Sequence, residues 1–327
     1  MKSKIILFIC LSVFLNNGFS QTIDSLDTNF QQFKISETET FGYKKPTYGQ
    51  LVKYVPDDVF QFGKFLIQKE NLKWNALAVG STLAILPFDQ KILDNSSDLG
   101  AKLGNWDQTS RYKRVAGIEL IPTSISSGVY YLGNGNTTLL LSGMFYAIGK
   151  IGKEDYRALN TSSELVESLL SVGVGIQVLK RITGRQSPAP AIEDGNPGGD
   201  WNPFPSFSAY AKNTPVYDAM PSGHLATYMA SLTIISTNYP ELKWIKPVGY
   251  SLGGLMAFNM VSSKVHWASD YPIAILMGYV IGKNIANRRI IRQSKVSDLK
   301  INKIKFKTDY TFNTVNNISV VGATITF

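Results

Sequence analysis

The sequence predicts a mainly α-helical fold: a bundle of six or so core helices followed by a short C-terminal β-hairpin. Three observations carry this. Apolar runs of about 12–17 residues, bounded by Gly, Asn or Pro, recur from Trp74 to Asn287. Leu165, Leu169, Val172, Ile176 and Leu179 recur at steps of four and three, a single buried stripe on one helix. The C-terminal segment instead alternates and is rich in β-branched and aromatic residues.

In chain order, the 327 residues are 44% hydrophobic and 17% charged, enough for one large domain or a domain with appendages. Residues 1–20 read as an export signal. Lys2 and Lys4 form its basic end, Ile5 to Leu15 its apolar stretch, and Gly18-Phe19-Ser20 a cleavage site; a retained membrane anchor is the other reading. Cys10 is the only cysteine and lies inside this segment, so the mature chain has no disulfide or thiol chemistry. Residues 21–70 read as a polar, irregular lead-in, with Tyr43 to Pro56 lying across the core.

A helical domain is expected over residues 71–292. Trp74 to Leu86 is apolar and ends at Pro87. Val115 to Leu132 continues the apolar pattern with Pro122 inside it. Gly133 to Asn136 forms a turn, with Asn136 as cap for Thr137 to Ile151. The striped helix ends at Lys180 to Gly184, and Gly184 suits a C-cap. Residues 186–220 are rich in Pro, Gly, Asn and aromatics, a long loop of the functional kind. Its Trp201, Phe204, Phe207, Tyr210 and Tyr217 form either an apolar lip over a site or a plug on the core. Helices follow at Leu225 to about Ile235, Val248 to Val261, and Tyr271 to about Asn287, the last with Pro272 in its first turn. Residues 293–327 hold a basic linker and the hairpin, Ile304 to Phe312 against Ile318 to Phe327.

The formal net charge is +9, unevenly placed. Lys283 to Lys307 carries nine Lys/Arg against one acid, Asp298. This is a solvated tail or a contact for anionic lipid head groups. Nucleic acid is not an expected partner of an exported chain with no stacking motif beside its charges. The apolar runs fall short of the ~20 residues of a spanning helix. Six spans would also leave the basic tail outside the cytoplasm, against the usual bias. The expectation is an exported helical domain on or near a membrane surface, in the periplasm or cell envelope.

Chemistry concentrates in three blocks. Met220-Pro221-Ser222-Gly223-His224 opens a helix. Ser222 is a good N-cap, Gly223 lets backbone approach a ligand, and helix-start N–H groups favour an anion such as phosphate. His224 stands beside that anion as a proton donor or acceptor. The chain has two histidines in all. The second lies in His266-Trp267-Ala268-Ser269-Asp270, where a carboxylate at i+4, one helical turn on, holds one ring nitrogen and leaves the other as a nucleophile. Upstream, Lys180-Arg181-Ile182-Thr183-Gly184-Arg185-Gln186-Ser187-Pro188 puts three cations at a helix end.

These blocks, in this order, resemble the type 2 phosphatidic acid phosphatase and vanadium haloperoxidase superfamily, over roughly residues 74–289. The resemblance implies a helical catalytic domain and a set of roles. His266 would be the nucleophile that forms a phosphohistidine, Asp270 its orienting carboxylate and His224 the general acid. Ser222, the Gly223 amide and Lys180 would hold phosphate oxygens. It implies no metal and no cofactor. Two positions depart from the pattern. Ser187 precedes Pro188 where Arg is usual, and Met260 stands six residues before His266 where Arg is usual. Neither can replace a bidentate guanidinium. Arg185, taken as a phosphate-binding residue, and Lys264 are the nearby substitutes. The function implied is hydrolysis of a phosphomonoester or pyrophosphate, of a membrane lipid or other small phosphoester. The alternatives are a non-catalytic envelope protein that binds a phosphorylated lipid head group and a vanadate-dependent haloperoxidase.

Overall fold

Helix α1 (Leu51–Ile67) opens a run of eleven α-helices among the described residues. It is followed by α2 (Leu72–Ile85), α3 (Asp89–Lys102), α4 (Ile125–Tyr131), α5 (Gly135–Ile151) and α6 (Tyr156–Thr183). Then come α7 (Pro188–Glu193), α8 (Phe207–Lys212), α9 (Gly223–Asn238), α10 (Ile245–Ser262) and α11 (Tyr271–Arg289). The computed structural model describes residues 22–23, 30–104, 106–108, 111–115, 118–151, 154–294, 307–315 and 318–326. The expected export signal and linker residues 295–306 lie outside them. The chain divides into two compact units, Met1–Arg292 and Gln293–Phe327.

Small residues set the core. On α11, Gly278 and Gly282 face α9: a Cβ on Gly278 would lie 2.2 Å from the Ala226 carbonyl oxygen, and one on Gly282 2.6 Å from that of Ala230. The two helices therefore pack backbone to backbone. Against them lies α6 with the predicted stripe: Leu165, Val172 and Ile176 are buried, and Leu179 packs partly buried at the edge. Asp155 caps α6 by accepting from the Ala158 N–H, and Gly184 ends it in the left-handed region, φ 53°, with its N–H on the Lys180 carbonyl.

Polar contacts close the end of the bundle away from the three blocks. Arg288 of α11 reaches Glu167 of α6 at 2.9 Å and pairs with Asp58 of α1, and Arg289 pairs with Glu167. Ser171 donates to Asp58, and Asn238 of α9 donates to Thr161 and Glu164. Burial pushes Glu164 and Glu167 up to about 7, against the opposing pull of Arg289. Arg288 and Arg289, expected in a basic tail, thus pair inside the fold, and Arg292 lies 4.8 Å over the Phe41 ring.

Three expectations change. The described residues of the lead-in form strands and helix α1 rather than irregular chain. Strands β1 (Thr22–Ile23), β2 (Phe30–Lys34) and β3 (Glu39–Lys44) are antiparallel, and β6 (Ile291–Ser294) completes the order β1-β2-β3-β6. Phe33, Phe41 and Tyr43 bury against Tyr156, Leu159 and Ile290, so few apolar residues at strand spacing sufficed. Residues Val115 to Leu132 are not one helical run. They give strands β4 (Tyr112–Val115) and β5 (Ile118–Pro122), then α4, capped by Ser124. Pro122 ends the strand. The cap of α5 is Asn134, which accepts from the Asn136 N–H at 2.9 Å, in place of Asn136. In the second unit, β7 (Lys307–Val315) and β8 (Ile318–Thr326) form the expected hairpin, paired from Val315↔Ile318 to Lys307↔Thr326.

Gly278→Val drives a branched side chain into the Ala226 carbonyl. It is expected to lower stability by about 1–3 kcal/mol or more in urea unfolding. Gly254→Ala on α10 meets open space and is expected to leave the midpoint unchanged or slightly raised.

Candidate active site

The end of α6, the start of α9 and the start of α11 converge, and each brings one of the three blocks. Ser222 N-caps α9: its Oγ accepts from the Leu225 N–H, and its own N–H donates to the Asp270 carbonyl. That last bond joins the Pro-Ser-Gly-His block to the His-x-x-x-Asp block. Thr183, at the end of α6, donates to the Met220 carbonyl at 2.6 Å and joins the first block to the second.

The two histidines meet. Their ring centroids lie 6.5 Å apart, edge to face. His266 is 4% exposed. Its Nδ1 lies 3.4 Å from Asp270 Oδ2, at ion-pair distance without hydrogen-bond geometry. The pair does not span an α-helical turn as expected. A 3-10 turn, Ala268–Asp270, precedes α11, and Asp270 Oδ2 reaches back to accept from the Trp267 N–H at 2.9 Å. His224 is in the first turn of α9 with its ring on Tyr130, centroids 4.5 Å apart. Burial, then the charges of His266 and Lys180, push His224 down to about 3, so it is neutral near pH 7.

Arg185 is not directed at a phosphate. It is fully buried and held on both sides: Nη1 donates to Asp270 Oδ1 at 2.8 Å and to Ser269 Oγ at 2.6 Å, and Nη2 donates to Asp89 Oδ2 at 2.7 Å and the Gly198 carbonyl at 3.0 Å. The rings of Trp201 and Trp267 lie 4.9 and 5.3 Å from the guanidinium carbon. Asp89, at the start of α3, also accepts from the Ser269 N–H and Oγ. Sequence reasoning missed Asp89. An acid just after Pro87 and Phe88 looks like an ordinary first-turn residue, and only its complete burial marks it.

The remaining predicted residues are also placed. Lys180 Nζ lies 3.2 Å from Asp218 Oδ2, and Ser187 Oγ donates to Asp218 Oδ1 at 3.4 Å. Asp218, four residues before Ser222, is the second carboxylate that the sequence did not single out. Ser222 Oγ also donates to Met260 Sδ at 3.9 Å, so a thioether fills the space by the serine where the family pattern has a guanidinium. Gly223 leaves its backbone open: a Cβ there would meet only Ile176 Cγ2, at 3.6 Å. Lys264 is exposed with φ 62°, and its carbonyl accepts from the Ala189 N–H. Of the loop aromatics, Phe204 and Phe207 are 73% and 83% exposed, while Tyr210 is buried under the Arg181 guanidinium, 4.0 Å from its ring.

The model of the family described as PAP2 superfamily matches residues 162–289, a span that contains all three blocks. No curated protein and no solved structure matches the chain.

Arg185→Met leaves Asp89 and Asp270 buried without their cation. It is expected to cost about 3–5 kcal/mol in urea unfolding, with Arg185→Lys recovering part of the loss because an ammonium lacks the two-sided fork. For His224, unfolding raises its affinity for a proton, from a value near 3 in the fold to 6.5. Its contribution is intact above pH 6.5 and lost as pH falls towards 3. Thermal melts of His224→Gln between pH 7.5 and 4 are expected to show a smaller acid-induced drop than the wild type.

Proposed function

We propose, for a chain whose residues 162–289 belong to the PAP2 superfamily, that the protein is a phosphatase acting on a lipid phosphoester through a phosphohistidine. The observation that carries this reading is the meeting of the chain's two histidines at 6.5 Å, with Asp270 behind one of them. His266, through the nitrogen away from Asp270, attacks phosphorus, and the P–O bond to the alcohol breaks. Asp270, fixed by Arg185 and the Trp267 N–H, steadies the imidazolium character that develops. The helix-start N–H groups at Gly223 and His224 face the negative charge of the transferring group.

His224 protonates the leaving alcohol. Burial above all keeps it neutral, and a phosphate anion beside it restores its proton, because a nearby negative charge opposes the shift that burial imposes. Water then attacks the phosphohistidine, His224 takes the water's proton, and phosphate leaves. Every step uses side chains and backbone of this chain.

A lipid substrate, and contact with a membrane surface at the envelope, are supported by the outer face of α6. Leu170, Val174, Val178 and Ile182 stand exposed there at steps of four, and Phe204 and Phe207 project from the loop beside its end. The helical stretch Lys69–Lys102 is also long and apolar enough to cross a membrane by length and composition. Binding of a phosphorylated lipid head group without turnover is the second reading. It is favoured by Met260 beside Ser222 and by the Asp218 partner on Lys180.

Phosphate release from a panel of soluble esters and lipid phosphates tests the choice. His266→Ala is expected to reduce release by about 10³-fold or more, and His224→Ala by about 10²–10⁴-fold. Equal release by wild type and His266→Ala would sink the catalytic reading.

A further inference from the structure

The charges at the site do not suit a highly charged phosphate. Lys180 has Asp218 at 3.2 Å. Arg185 lies between Asp89 and Asp270. Ser187, at one position where a guanidinium is usual, donates to the other oxygen of Asp218. Met260, at the second, is a buried thioether. Among these residues two cations stand against three carboxylates. A phosphomonoester or pyrophosphate brings two or more negative charges and meets Asp218 beside the one lysine that can hold it. A phosphodiester brings one.

Building on the phosphatase reading above, we infer that the preferred substrate is a zwitterionic phosphodiester, with Asp218 receiving its cationic head group. The geometry allows an exchange of partners. Lys180 turns from Asp218 to the phosphate, and an ammonium takes its place at Asp218, so no charge is left unpaired in a partly desolvated site. Asp218 is reachable, its side chain 25% exposed. The neighbouring Tyr217 ring stacks on Tyr210, centroids 6.4 Å apart, and Arg181 already rests on the Tyr210 face.

The chemistry balances without a further reactant. The His266 nitrogen forms a P–N bond as one P–O ester bond breaks, and the departing alcohol takes a proton from His224. Water then adds to phosphorus, the P–N bond breaks, and the water's proton returns to His224. The products are an alcohol and a phosphomonoester.

Three chromogenic esters test the inference with the full protein: p-nitrophenyl phosphate, bis(p-nitrophenyl) phosphate and p-nitrophenyl phosphorylcholine. The expected kcat/KM for the phosphorylcholine ester exceeds that for p-nitrophenyl phosphate by about tenfold or more, with the anionic diester between them. Asp218→Asn is expected to lower turnover of the phosphorylcholine ester about tenfold and, by freeing Lys180, to raise that of the two esters without a cationic head group, p-nitrophenyl phosphate most. A wild type that prefers p-nitrophenyl phosphate overturns the inference and leaves the phosphatase reading standing. An unchanged ratio in a folded Asp218→Asn protein overturns the role of Asp218. If all three esters are inert, the catalytic reading fails, and calorimetric titration decides the inference: tighter binding of inorganic phosphate than of glycerophosphocholine overturns it. The wild-type panel tests the substrate class even if Asp218→Asn does not fold.

Discussion

Burying a guanidinium is costly unless carboxylates pair it, and in this protein that constraint organises the site around Arg185, whose two Nη atoms are both taken by acids. Arg185 sits just past the end of α6, yet its partners come from α3 (Asp89), the start of α11 (Ser269 and Asp270) and the long loop (Gly198), with Trp201 and Trp267 against its faces. Each of those segments is fixed because the arginine is. Asp270, held at one oxygen by Arg185 and at the other by the Trp267 N–H, is placed behind His266 without hydrogen-bonding it. His266 is thus positioned through a chain of charge pairs that begins on a helix far away in sequence.

The same arrangement explains how the chain differs from the pattern it resembles. The family pattern surrounds phosphate with guanidiniums. Here one such position is Ser187, turned towards Asp218, and the other is Met260, in the core beside Ser222. Of the block's two arginines, Arg185 holds carboxylates and Arg181 rests on the Tyr210 ring. What stays directed at an anion is the start of α9 with its N–H groups, and Lys180, which must give up Asp218 to take part. A site so poor in free positive charge is selective against charge, and Asp218 gives that selectivity a direction.

Away from the site the bundle is held by two different means. Between α9 and α11 it is the absence of side chains, Gly278 and Gly282 letting the backbones touch. At the far end it is a buried network of Asp58, Glu164 and Glu167 with Arg288 and Arg289. The first fixes distance and the second fixes which helix ends meet. Both leave the outer face of α6 apolar, as at Leu170, Val174 and Val178.

Local chemistry made much of this legible in the sequence. Helix-forming periodicity placed α6 and its stripe, Gly184 marked its end, Pro272 the first turn of α11, and Ser222 the cap of α9. The order of three motifs pointed to His224, His266 and Asp270, and the fold brings these three side chains together. The lead-in was misread because a short strand needs only two or three buried residues, too few to stand out from polar surroundings. Residues 115–132 were misread because an apolar run has no clear period until Pro122 and the Ser124 cap divide it. What tertiary structure alone decided was charge pairing. Nothing near Asp89 or Asp218 in sequence marks them as partners of Arg185 and Lys180, since the pairs are 96 and 38 residues apart. Sequence fixes which charges exist and which backbone they sit on. Whether a cation faces a substrate or a carboxylate depends on what folding brings within about 3 Å of it, because buried charges are stable only beside opposite ones.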